Sequence, residues 1–236
     1  MLVAAGCSGA TSPKPADATV GPLFFGGLAG VHVCTASVVH SASGDVIATA
    51  AHCIAGTGIG VVFAPGYRDG AAPHGTWTVT GAYADPAWVT RKDAHEDVAF
   101  LTVAPSPGNA SAGLSVEHVV GAMRLSVAPA NGSDITVTGY PLGGDRTLTC
   151  SAPTTTTDGF PTLPCGPLPN GTSGAPWTLS GRRELVGVTG GLHQGGCTAD
   201  VSYASPFTAA TQALLDRATA GRAADTLPNA LGQDGC

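Results

Sequence analysis

Three short segments of this 236-residue chain carry residue types that together can cleave an acyl bond: Thr49-Ala50-Ala51-His52-Cys53, Asp97-Val98-Ala99-Phe100-Leu101 and Gly171-Thr172-Ser173-Gly174-Ala175-Pro176-Trp177. A serine hydroxyl is a weak nucleophile until an imidazole takes its proton and a carboxylate fixes the tautomer of that imidazole. Ser173, His52 and Asp97 fit those three roles. The glycines around Ser173 permit a tight turn in which the Gly171 and Ser173 N–H groups converge on the oxyanion formed when a carbonyl is attacked. Asp93 and Glu96 compete with Asp97 for the role of the acid. Asp97 is preferred because the apolar run after it places it at the start of a buried strand, where a carboxylate needs a partner. Asp93 and Glu96 read as solvated loop charges.

In the order His, Asp, Ser, the Ala50-Ala51-His52-Cys53 segment and the Gly-x-Ser-Gly turn resemble those of the trypsin-like (chymotrypsin-fold) serine proteases, over roughly Val20 to Ala218. The Gly-Thr-Ser-Gly-x-Pro-Trp form of the turn is similar to that of a secreted bacterial branch. An α/β-hydrolase is set aside. Its acid and histidine follow the serine, whereas the only histidine after Ser173 is His193, and Ala175 stands where the last glycine of its nucleophile turn belongs. The resemblance implies an all-β fold of two antiparallel six-stranded β-barrels with a C-terminal α-helix. It also implies a serine endopeptidase working through an acyl-enzyme on polypeptides, without a cofactor. The competing functional reading is a protease-like surface binding or adhesion module, silent because loops such as 66–76 or 153–164 occlude the site.

The same resemblance implies disulfides Cys34–Cys53 and Cys150–Cys165. For Cys197 it leaves two partners open, Cys236 or, as in a different family bridge, Cys165. A substrate pocket is inferred from Leu168, Asn170, Thr189, Gly190 and Gly191, small and largely apolar. No acid lies between Cys165 and Asn170, which argues against cleavage after Arg or Lys. Thr189, not His193, falls at the position where glutamate-specific relatives carry a histidine, so an uncharged residue is expected at the cleavage site. Thr172 stands where many relatives have an aspartate that pairs with a newly formed N-terminal amine. Competence without exact N-terminal processing is therefore expected.

Composition narrows the alternatives. A formal net charge of −6, with ten scattered cationic residues, offers no basic stripe, so nucleic acid is not an expected partner. Seven cysteines without a Cys-x-x-Cys pair point to an oxidising, extracytoplasmic location rather than to zinc. No His-x-x-x-His spacing links His32, His40, His74, His95, His118 and His193, which read as surface or core residues, so no metal site is expected. Two lysines against eight arginines, in a chain rich in Ala and Gly, suggest a bacterial source. Cys7, within Leu2-Val3-Ala4-Ala5-Gly6-Cys7, resembles a bacterial lipidation site and would anchor the protein to a membrane. A plain secreted protein, with Cys7 as an ordinary thiol, is the other reading.

The elements that must position these groups follow from turn residues and periodicity. Residues 1–20 read as a signal or lipoprotein-like remnant and a proline-containing linker, 21–112 as the first barrel, 113–222 as the second barrel plus helix, and 223–236 as a loose tail unless Cys236 pins it. Val31–Val39 and Val46–Thr49 form a hairpin through Ser43-Gly44-Asp45 that delivers His52 at a strand end. Further strands are expected at 76–83, 98–103, 123–127, 134–139, 148–151, 176–179, 184–190 and 201–204. Ser205-Pro206 reads as the cap of a helix carrying Phe207, Leu214, Leu215 and Ala218. A monomer is expected.

Overall fold

The computed structural model describes residues 12–14, 17–165, 168–198 and 200–233; Cys7 and Cys236 lie outside them. Strands run in the order β1 (Ser12–Lys14), β2 (Val20–Phe25), β3 (Val31–Val39), β4 (Val46–Thr49), β5 (Val62–Phe63), β6 (Trp77–Ala84), β7 (Ala99–Pro105), β8 (Arg124–Leu125), β9 (Asp134–Gly139), β10 (Thr147–Pro153), β11 (Thr155–Thr157), β12 (Phe160–Leu163), β13 (Pro176–Leu179), β14 (Glu184–Val188) and β15 (Ser202–Tyr203). Helices α1 (Pro86–Arg91) and α2 (Val116–Val120) are short insertions in this β framework, and α3 (Ala209–Thr219) follows its last strand.

The first half closes into a barrel in the order β2-β3-β4-β7-β6-β5. Its strands alternate, as a pleat requires. Ile47, Ala99, Leu101 and Val103 point into the barrel beside Leu23, Phe63 and Trp77. Val46, Ala48 and Phe100 point outward, to a seam shared with Tyr140, Leu185, Val188 and, from α3, Leu214 and Leu215. The second half forms a six-stranded sheet, β1-β10-β9-β13-β14-β8, and a three-stranded sheet, β11-β12-β15, joined by a bridge between Thr189 and Ala204. Its core holds Ile135, Val137, Leu163, Trp177 and Val186. Part of the expected linker is recruited here, since Ser12–Lys14 pairs antiparallel with Thr147–Thr149.

One pairing matters most for function. Antiparallel β4 and β7 place Thr49 opposite Ala99, so the residues just after β4 and just before β7 meet at the same barrel rim.

One local expectation is corrected. The helix is capped by Thr208, not Ser205: the Thr208 hydroxyl accepts from Ala210 N–H at 3.1 Å, and its N–H donates to Thr211 Oγ1 at 3.0 Å. Ser205 is fully buried and donates instead to the Ala94 carbonyl at 3.1 Å. The segment after α3 packs on the first barrel. Leu227 and Ala230 are buried in the first barrel's core, and Leu227 exchanges two backbone hydrogen bonds with Gly56, at 2.9 and 2.7 Å.

Candidate active site

His52 lies in a 3-10 turn, Ala51–Cys53, directly after β4, and the Cys34–Cys53 disulfide ties that turn to β3. Asp97 arrives at the end of a longer path. Asp85 caps α1 through Ala87 N–H at 2.7 Å, Lys92 ends the helix in the left-handed region, and Asp93 caps the next turn by accepting from His95 N–H at 3.1 Å. Asp93 therefore has a structural task rather than being a free loop charge, and the hydrogen bond from His95 N–H leads the effects that hold its carboxyl below the usual carboxylate range.

His52 is 1% exposed and Asp97 0%. The imidazole Nδ1–H donates to Asp97 Oδ2 at 2.7 Å, the His52 backbone N–H donates to Oδ1 at 2.8 Å, and Gly191 N–H donates to Oδ2 at 2.9 Å. A buried carboxylate with three donors is solvated by the protein in place of water. With Nδ1 committed to Asp97, Nε2 is the imidazole nitrogen left to act on a substrate or nucleophile.

Ser173 sits in the turn before β13. Gly174 has φ +78°, and a Cβ there would strike the Thr35 carbonyl and the Thr49 hydroxyl, so only glycine fits. Thr35, which no sequence pattern singled out, ties this turn to the first barrel: its N–H donates to Ser173 O at 2.8 Å, its hydroxyl donates to Gly171 O at 3.0 Å and accepts from Tyr140 N–H at 2.9 Å, and its carbonyl accepts from Thr49 Oγ1 at 2.8 Å. Thr172 is 2% exposed and donates to Pro169 O at 2.8 Å, closing the turn from within where an aspartate would have needed an amine. Among the described residues, the Gly171 and Ser173 N–H groups have no acceptor. No hydrogen bond joins Ser173 to His52 among them either, as is common before substrate binds.

His52 and Ser173 share the wall of one open cavity of about 250 Å³ with Val33, Leu142 and Asn170. Beside Ser173 a smaller cavity of about 40 Å³ is bordered by Leu168, Asn170 and Thr189, and by Thr172, Gly196, Thr198, Val201 and Ser202. Hydroxyls and amides make this lining polar and uncharged rather than largely apolar. Thr189 Oγ1 already accepts from Trp177 Nε1 at 3.0 Å. Gly190 and Gly191, expected as pocket walls, pack instead on the acid: a Cβ on Gly190 would lie 2.9 Å from Asp97 Oδ2.

The Cys34–Cys53 and Cys150–Cys165 disulfides are both present. Cys165 is thus unavailable to Cys197, which is itself disulfide-bonded. The only grouping of three metal-ligand residue types among the described residues is Cys34, His52 and Cys53, and its cysteines are already joined to each other.

The profile of the trypsin-like peptidase domain matches residues 34–188, well over half of the chain. The chain belongs to the trypsin-like peptidases. It is a serine-type endopeptidase of that family, acting on polypeptides. Among solved structures this trypsin-like peptidase is similar to the protease Anisep from Arthrobacter nicotinovorans, with 25% identity, a TM-score of 0.76, and coverage of 89% of this chain and 100% of that one. It is also similar to the thermostable serine protease AL20 from an extremophilic microorganism, with 26% identity, a TM-score of 0.71, and coverage of 86% and 98%. A Glu endopeptidase, 20% identical with a TM-score of 0.72 and coverage of 92% and 100%, shares the fold. No curated protein sequence gives a significant match.

Proposed function

We propose that Ser173 is the nucleophile, with His52 as general base and then acid, Asp97 orienting His52, and the Gly171 and Ser173 N–H groups binding the oxyanion. The observation that carries this reading is the His52–Asp97 pair. A buried carboxylate receives both the Nδ1–H and the backbone N–H of one histidine, and that histidine shares a cavity with Ser173. The small uncharged cavity beside Ser173 supports cleavage after a small, uncharged residue. Disulfides at Cys34–Cys53 and Cys150–Cys165 support action outside the cytoplasm, by a protein either secreted or held at the membrane through Cys7. Fold alone would not exclude a silent binding module; the intact pair and the open cavity argue against one.

The deciding experiment is labelling of the purified protein with a fluorophosphonate probe, read by intact mass. One adduct, lost in Ser173→Ala, is expected. Absence of labelling in folded, disulfide-intact protein would overturn the nucleophile assignment and favour the binding module.

A further inference from the structure

The segment after α3 is fastened along its length. The Arg217 guanidinium pairs with Asp225 and donates to Ala84 O at 2.9 Å, while Asp225 Oδ2 accepts from Ala84 N–H at 3.0 Å. Leu227 is sealed into the first barrel opposite Gly56. Further on, the Gln194 side chain donates to Ala230 O, and Lys92 donates to the Gln233 side chain. Between those last two ties, Leu231 and Gly232 reach the wall of the 250 Å³ cavity that contains His52 and Ser173. Leu231 keeps 48% of its surface exposed there. A large aliphatic side chain that follows an anchored carbonyl, two residues before a side-chain tie, yet is left half bare at a cleft, is placed to meet a ligand rather than to fill a core.

The position within the cleft says which part of a substrate it meets. Gln194 and Gly196 border both the large cavity and the small one beside Ser173. The residue whose carbonyl is attacked places its side chain in the small cavity. A residue flanking the cleaved bond then lies over the large cavity, whose wall includes both His52 and Leu231. Gln194, which shapes that border, also holds Ala230. The cavity remains open, so the segment is a wall and not a plug.

We propose that the 223–233 segment supplies part of one wall of the substrate cleft through Leu231 and Gly232, and that Leu231 selects an apolar, branched side chain at the residue immediately N-terminal to the one cleaved after. This rests on the serine peptidase reading of His52 and Ser173. The segment lies beyond the matched domain, which ends at residue 188.

The test is a peptide series differing only at that position, Gly against Leu, assayed with the full chain and with Leu231→Ala, each normalised to its fluorophosphonate titre. For the unsubstituted protein, kcat/KM should favour Leu over Gly by about 10-fold, the scale of a partly enclosed apolar pocket. In Leu231→Ala the ratio should fall towards one, chiefly through the Leu substrate. A purely structural role would lower both substrates together and leave the ratio intact, and that result would overturn the proposal. Failure of the unsubstituted protein both to label and to hydrolyse either peptide would sink the peptidase reading and the subsite together. Labelling with an unchanged ratio in Leu231→Ala would sink the subsite alone.

Discussion

The two sides of the cleft are built differently. On the His52–Asp97 side the residues are buried, the Asp97 carboxylate has three donors, and the geometry follows from a strand register that sets Thr49 against Ala99. On the Ser173 side the cleft is assembled from loops far apart in sequence: the 141–144 turn, the turn at 170–174, the 192–196 segment with His193 and Gln194 at positive φ, and the 231–232 stretch. The first side has one arrangement because moving any part would strand a buried charge. The second can change its side chains with little risk to the fold. A peptidase with this division keeps its chemistry fixed while its specificity drifts.

Asp97→Asn attacks the first side directly. The amide keeps the shape but has one acceptor oxygen where three donors, His52 N–H, His52 Nδ1–H and Gly191 N–H, share two, so its NH2 must face a donor and the imidazole tautomer is no longer held. A loss of kcat of about 10⁴-fold, with a far smaller change in KM, is expected in steady-state kinetics. A loss below tenfold would mean that Asp97 is not the orienting acid. Gly190→Ala is a gentler version of the same test. Gly190 does not need a positive φ, so alanine suits the backbone, but its Cβ would stand 2.9 Å from Asp97 Oδ2 and 3.2 Å from Ala50 Cβ. The carboxylate must give by a few tenths of an ångström. The expectation is a folded protein with kcat reduced by about 10²-fold, the cost of a misplaced catalytic group. Unchanged kcat would show that the first side is more tolerant than its packing implies.

The same division explains what could be read in advance. Strands β3, β4, β9 and β13 are readable to the residue because their runs end at unmistakable turn residues, and the buried, paired state of Asp97 is readable because a charge before Val98-Ala99-Phe100-Leu101 must be paired. Strand β5 has two residues, and β11 is a run of exposed threonines, so neither carries an alternating pattern. Thr35 looked like any strand threonine, since its four hydrogen bonds join β3 to residues more than 100 positions away as well as to Thr49. Gly191 was legible as a glycine near the pocket, but a backbone N–H given to Asp97 leaves no mark in side-chain type. Leu227 and Ala230 were too few apolar residues, in too polar a stretch, to announce that they complete a core on the opposite half of the chain.

The smallest expected effect concerns the seam between the two sides. His32 is 3% exposed on β3; its Nε2–H donates to Gly144 O at 2.8 Å, while its buried Nδ1 has no partner among the described residues. It lies edge-on to Phe24, Tyr67 and Tyr140, and burial raises the Tyr140 phenol above its ordinary pKa. Burial lowers the His32 pKa from 6.5, outweighing the hydrogen bond to Gly144. The folded chain thus binds this proton more weakly than the unfolded chain does. Once pH drops below about 6.5 the unfolded state holds the extra proton, so stability falls with acid, by at most about 1.4 kcal/mol per pH unit. His32→Phe removes that titration and also the bond to Gly144, which should cost about 1 kcal/mol at neutral pH. Thermal unfolding at neutral pH and at about pH 5, where a free imidazole is charged, should therefore show the substituted protein less stable at first and the gap closing in acid. A gap of constant size would mean that His32 does not couple the loop carrying Leu142 to pH, and that the softer side of the cleft owes nothing to this buried imidazole.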